Sequence, residues 1–258
     1  MDEIINEFTK KYRLTRGEVM GEIEKTFSSM LSRWHRKNVV VFFGEDSLMA
    51  QAYYNSDGII RQIPIELTTM RGWNTLKRIL NTNLAKAACL KEVARYKKCE
   101  KEMRWGEIIG RNTDGSLRVE IEIEDGNPII ATCPGNRIGL HERDRLRVGQ
   151  RRAFNIRRVE PVLLNKTPRI KVVVDRVSKN LVKNLLEDQL VGVDVKIRCE
   201  KRYVGRKSFV VSNRFLPRKA ILAAKQEFGE HIQVSVVNSL ANRKKANSGK
   251  KTDVSIWP

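Results

Sequence analysis

In the stretch RGEVMGEIEKTFSSMLSRW, apolar side chains recur at Val19, Ile23, Phe27, Met30, Leu31 and Trp34. Spacings of three and four predict a helix with one apolar face, which needs a partner to cover it. Two short apolar segments follow, NVVVFFGED and LMAQAYYN, and read as a hairpin turning around Gly44 to Ser47. Together they make a small α/β unit. From Trp73 to Met103 there is no proline, and Leu76, Ile79, Leu80, Leu84, Ala87, Ala88 and Leu90 keep the helical period, so the longest helix is expected there. Its second part, KEVARYKKCEKEM, turns mostly charged, the pattern of a connector helix that leaves one core for the next. A domain boundary is therefore placed near Met103.

The pattern changes completely after that. GEIIGR, LRVEIEIE, PIIATC, RRAFNIRRV and RIKVVVD are short β-type segments, separated by turn signals such as Asp114-Gly115, Asp125-Gly126 and Pro134-Gly135. Five such strands predict a small closed barrel of the OB type over residues 104–175. Its last strand, Arg169 to Val174, ends at the charged pair Asp175-Arg176 and hands over to a helix, with Ser178 as cap and Leu181, Val182, Leu185 and Leu186 as apolar stripe. Next, Val193, Val195, Ile197 and Cys199 alternate as a strand, RKSFVVSN reads as a second strand, PRKAILAAKQEF as a helix, and Ile232, Val234 and Val236 as a last strand. The expected order over 176–238 is α-β-β-α-β, and the polar, basic residues 239–258 read as a flexible tail.

Charge separates these regions. Residues 1–70 hold nine Lys+Arg and ten Asp+Glu, a net of −1, while residues 71–258 hold 41 and 20, a net of +21, which together make the chain's +20. An excess of that size is the electrostatic footprint of a protein that neutralises phosphates, and a near-neutral N-terminal unit suits a protein surface. No apolar run reaches the roughly 18 residues needed to cross a bilayer, so no membrane partner is expected. Cys89, Cys99, Cys133 and Cys199 show no C-x-x-C pairing and His35, His141 and His231 are isolated, so no metal or other cofactor is expected, and free thiols fit a reducing cytoplasm. No Walker loop, G-x-S-x-G or comparable catalytic motif occurs, which points away from an enzyme.

In order and spacing, HERDRLRVGQRRAFNIRRVEP, TPRIKVVVDR, NLVKNLLEDQL, VDVKIRCEKR, KSFVVSN and FGEHIQVSVV resemble the S1 and first KH domains of the bacterial transcription elongation factor NusA family. KEMRWGEIIGR resembles that family's connector into the S1 domain, and the N-terminal helix and strands resemble its polymerase-binding domain. The resemblance implies an α+β multidomain protein: a polymerase-binding-like unit with its connector over 1–103, an S1/OB-type five-stranded barrel over 104–175, and a type II KH-like α-β-β-α-β domain over 176–238. It implies two partners, RNA polymerase and single-stranded nascent RNA, and a role in pausing, termination or antitermination. The family's second KH domain has no counterpart in this sequence. Its G-x-x-G loop, which lets phosphates approach a bare backbone, falls here on Arg214, Phe215, Leu216 and Pro217.

The candidate RNA-binding residues form three groups. Arg143, Arg145, Arg147, Arg151 and Arg152 crowd a turn and the start of a barrel strand, where Glu142 and Asp144 are the nearest acids in sequence to pair with them. Lys201, Arg202, Arg206 and Lys207 flank a turn at Gly205. Arg214, Arg218 and Lys219 surround the position of the lost glycine loop, with Pro217 suited to the first position of the helix that follows. In the barrel, Trp105 and Phe154 read as core, and burial is likewise the default for Trp34, Tyr53, Tyr54 and Trp73. Two rival readings use the same residues: a DNA-binding regulator that grips duplexes non-specifically, and an adaptor that sits on polymerase without binding RNA.

Overall fold

In the computed structural model, which describes residues 2–44, 47–56, 59–67, 72–123, 126–190 and 192–237, the chain is a mixed α+β protein. The sequence reading of 239–258 as a tail, and part of the Asp125-Gly126 turn, lie outside these residues. The chain divides into two compact units, Met1–Arg95 together with Glu160–Ile170, and Tyr96–Val159 together with Lys171–Pro258. No helix among the described residues is long and apolar enough to cross a membrane.

In the first unit, helices α1 (Asp2–Tyr12) and α2 (Arg16–His35) precede an antiparallel meander of β1 (Asn38–Phe43), β2 (Leu48–Ser56) and β3 (Ile59–Ile65), and α3 (Trp73–Lys97) follows. A capping box starts α2: the Thr15 hydroxyl accepts from Glu18 N, and the Glu18 carboxylate accepts from Thr15 N. Val19, Ile23, Phe27, Met30 and Leu31 of α2 close on Val39, Val41, Ala50 and Ala52 of the sheet and on Leu76, Leu80 and Leu84 of α3. Trp34 departs from the expected stripe and is 42 % exposed. Helix α2 also seals the free edge of β1. Val39 N donates to Ser32 Oγ (2.9 Å), Val41 N to Ser28 Oγ (2.8 Å) and Phe43 N to Glu24 Oε1 (2.9 Å). Alternate strand residues point their N–H outward while side chains four apart on a helix line up, so the two periods meet rung by rung. Neither α1 nor β3 was anticipated by the hydrophobic pattern. β3 contains Pro64, which an edge strand tolerates. The charged half of α3 is not a solvated spacer throughout, since Val93 and Tyr96 are buried.

β4 (Met103–Arg111), β5 (Leu117–Glu122), β6 (Pro128–Cys133), β7 (Arg151–Leu164) and β8 (Thr167–Asp175) close a barrel in the order β4-β5-β6-β8-β7. It belongs to the second unit except for Glu160–Ile170 at the β7–β8 end, which group with the first. The β6–β8 pair is parallel and the other registered pairs are antiparallel. Strict alternation in β5 buries Leu117, Val119 and Ile121, and Ile108, Ala131, Cys133, Phe154 and Ile156 are buried on the neighbouring strands. A single turn of helix, α4 (Leu140–Arg143), lies between β6 and β7. Then come α5 (Lys179–Asp188), β9 (Ile197–Tyr203), β10 (Lys207–Ser212), α6 (Arg218–Phe228) and β11 (His231–Val236), with sheet order β11-β10-β9. Residues 193–196, expected to begin this strand, lie outside it: after Gly192, with φ 85°, the ladder starts only at Ile197.

The hand-over at Asp175-Arg176 joins two sheets into one core. Ser178 caps α5 by accepting from Asn180 N, and Asp175 Oδ1 accepts from Ser178 N. Leu181, Val182, Leu185 and Leu186 of α5 then pack with Ile197, Val210, Ala220, Ala224 and Phe228, and Ala153 of the barrel belongs to the same cluster with Met103 and Trp105 against it. Each fully buried aliphatic side chain there contributes roughly 1.5–3 kcal/mol relative to exposure.

Candidate nucleic-acid interface

Arg176, the residue after β8, is 1 % exposed and bridges the barrel to the helix-backed sheet. Its Nε and Nη2 donate to the two oxygens of Glu142 on α4 (2.8 and 2.7 Å), and its Nη1 donates to Glu227 Oε1 on α6 (2.9 Å) and to the carbonyl of Ala153 on β7 (2.7 Å). Burial alone would lower the guanidinium pKa, but the hydrogen bonds and charges of Glu142 and Glu227 outweigh it and the pKa is raised. A second buried pair lies beside the first. Arg202 on β9 meets Glu230 through three hydrogen bonds of 2.8–3.1 Å and also donates to the carbonyl of Ser178 (2.7 Å). Burial works against the Glu230 charge, yet Arg202, the Gly205 N–H and the Ser208 hydroxyl overcome it and hold the carboxyl below the ordinary glutamate range. Both guanidinium groups lie over the Phe228 ring, Arg202 at 4.7 Å and Arg176 at 5.7 Å.

These contacts correct the sequence reading at two points. Glu142 does not neutralise the arginines next to it in sequence; it is consumed by Arg176. Arg202 leaves the set of candidate RNA ligands, because its side chain is 1 % exposed and fully engaged by Glu230. A β-bulge explains the error. The β9–β10 register passes from Lys201↔Phe209 to Cys199↔Val210, so Glu200 is the extra residue. Alternation from Ile197 and Cys199 would have turned Arg202 outward; the bulge turns it in.

The remaining candidates fall at two stations. At the first, His141 on α4 donates through Nε2 to the carbonyl of Phe228 (2.8 Å), and its ring lies against Gly205 in the β9–β10 turn. This contact brings α4 against the β9–β10 turn, where exposed Arg206 helps to line a cleft of about 490 Å³; Arg145 and Arg147, which follow α4 in sequence, are also exposed. Arg143 donates to the carbonyl of Gly135 (2.9 Å), and Arg152 pairs with Glu227 (3.3 Å), so both are partly engaged, while Arg151 is exposed. Lys201 and Lys207 share the outer face of the β9–β10 pair with Tyr203 and Phe209. The Lys201 ammonium sits 4.8 Å from the Tyr203 ring and that of Lys207 5.0 Å from Phe209.

At the second station, Arg214, Arg218 and Lys219 are all exposed. They lie at the start of α6, whereas Phe228 marks its end beside His141. The 11-residue helix therefore sets the two stations roughly 16 Å apart. Pro217 takes the N-cap rather than the first helical position, and its carbonyl accepts from Ala220 N and Ile221 N. Residues 201–226 contain eight Lys+Arg and no acid, so with Arg202 removed seven cations have no acidic neighbour within the segment.

The sequence reading placed Trp105 and Phe154 in the core, and Phe154 is fully buried with Trp105 packed against the shared cluster. It missed Tyr203, Phe209 and Phe215. The signal for the first two was their period-two alternation with Lys201 and Lys207. In the first unit Trp73 is 49 % exposed and touches Phe27 edge-on at 6.1 Å. Burial pushes the Cys133 thiol up to about 12, the behaviour of an inert core cysteine. No protein-family model matches the chain, and no curated protein matches it.

Proposed function

We propose that the chain is a NusA-like RNA-binding transcription factor that docks on RNA polymerase through its first unit and contacts nascent RNA through its second. The observation that carries this reading is the second unit: a five-stranded barrel with a parallel β6–β8 pair, fused through Arg176 to an α-β-β-α-β sheet whose exposed cations have few acids to meet. Five-stranded barrels of the OB type bind oligonucleotides on one face and its loops, and S1 domains share that architecture. The helix-backed sheet is read as a KH-like domain in which side-chain cations replace the glycine cradle. Phosphate contacts of that kind position a strand without reading its sequence, so binding is expected to be strongly salt-dependent and weakly selective.

For the first unit the support is a sheet face. Val40, Met49 and Ile60 lie on the side of the meander opposite the helix-covered Val39, Val41, Ala50 and Ala52, at 40, 44 and 70 % exposure. A near-neutral surface with exposed aliphatic side chains suits a protein partner. Tethering to polymerase raises the local concentration of the basic unit around emerging RNA, so weak contacts suffice to influence pausing, termination or antitermination. Two measurements on the full chain test the reading. Capture of core RNA polymerase tests the docking half. Competition between single-stranded RNA and duplex DNA at equal nucleotide concentration tests the RNA half, and displacement of RNA by the duplex would favour a DNA-binding regulator.

A further inference from the structure

Phe215 is 89 % exposed, the most exposed large apolar side chain among the described residues. The loop around it does not leave it there by looseness. Two rungs pin Asn213 to the chain before β9, since Lys196 N donates to Asn213 Oδ1 (2.9 Å) and Asn213 N to the Lys196 carbonyl (3.2 Å). The Ser212 hydroxyl donates to the carbonyl of Arg214. Leu216, the next residue, packs into the core beneath α5 and α6. With its neighbours fixed on both sides, Phe215 projects outward between Arg214 and Arg218–Lys219, and no acid occurs within ten residues on either side of it.

We infer that Phe215 is a stacking platform for an unpaired nucleobase, with Arg214, Arg218 and Lys219 holding the phosphates on either side. The inference rests on the RNA-binding reading above and adds the chemical mode of contact. An aromatic ring flanked in sequence by three exposed cations is poorly matched to an apolar protein groove, because docking there would strip water from nearby charges. A single strand satisfies both parts at once: each base offers a π-face to the ring, and the adjoining phosphates meet the cations. The same ring cannot reach a base inside a duplex, so the site takes single strands in preference to paired ones.

The test uses the full-length protein, a fluorescein-labelled oligouridylate of about 20 nucleotides, and inorganic polyphosphate as a probe with phosphates but no bases. Phe215→Ala is expected to weaken RNA binding by about tenfold, the range of one lost base–aromatic stack, at unchanged Tm and unchanged salt slope. Phe215→Trp should retain or strengthen it, and polyphosphate should bind the wild type and Phe215→Ala alike. If Phe215→Ala leaves RNA affinity intact while Arg214→Glu/Arg218→Glu/Lys219→Glu lowers it, the stacking platform is wrong and the RNA-binding reading stands. If wild type binds no RNA, both fall. Loss of polymerase capture with RNA affinity intact would make Phe215 a protein anchor and overturn the inference.

Discussion

At the junction of barrel and helix-backed sheet, Arg176 and Arg202 are each buried against carboxylates, while one helix length away Arg214, Arg218 and Lys219 stand exposed in a stretch without acid. Local composition does not distinguish Arg202 from the exposed set, since all four lie in the acid-free segment 201–226. What separates them is whether the fold brings a glutamate to the guanidinium, and in both buried pairs that partner comes from far along the chain: Glu142 and Glu227 for Arg176, Glu230 for Arg202. A basic total therefore overstates the surface that can meet phosphates. The buried pairs act instead as clamps between elements, where geometry has to be good because desolvation offsets most of the Coulombic gain.

The sharpest way to break this contrast is to delete one clamp. Arg176→Ala leaves Glu142 buried without its cation and Glu227 with Arg152 alone, and is expected to destabilise the second unit by about 3–5 kcal/mol, read as a lower urea midpoint; adding Glu142→Gln should recover part of the loss. Gly205→Ala comes next. Gly205 has φ 78° and a Cβ there would collide with the His141 ring, so a loss of about 1–3 kcal/mol is expected from strain and displacement of α4.

On the exposed side, Arg214→Glu/Arg218→Glu/Lys219→Glu should leave Tm nearly unchanged. It should weaken RNA binding on the order of tenfold and make the dependence of log K on log salt shallower by about 2, at roughly 0.7 per single-strand phosphate contact. The smallest effect is on pH. The Glu230 carboxyl titrates lower in the fold than in the unfolded chain, so its contribution is present above about pH 4.3 and is lost as pH falls through its depressed folded value. Asp175 runs the other way: burial, the largest influence, raises its pKa despite the Ser178 N–H and Asn155 contacts, so acid relieves rather than breaks that site. Glu230→Gln should flatten the acid limb of stability measured by chemical denaturation.

Much of the architecture was legible because it depends on short periods. Helical spacing of Val19 to Leu31, strict alternation in Leu117–Glu122 and the cap at Ser178 each need only a few neighbouring residues to be recognised. Other features were hidden for equally local reasons. Pro64 masked β3, and the bulge at Glu200 reversed the apparent side of Arg202. Of the candidate site, Arg145, Arg147, Arg206, Arg214, Arg218 and Lys219 were found by charge and are exposed, whereas Phe215 was read only as a position of the lost glycine loop, since nothing local in the sequence marks an aromatic ring as exposed.

The sequence by itself determined the elements, the break in charge between the N-terminal 70 residues and the rest, and the segment of 26 residues without an acid. Only the tertiary structure decided which cations are spent inside and which face outward, and that two stations lie at opposite ends of α6. The reason is physical: periodicity is a property of neighbours, but the neutralisation of a buried guanidinium depends on a carboxylate that reaches it only when distant strands and helices have closed on one another.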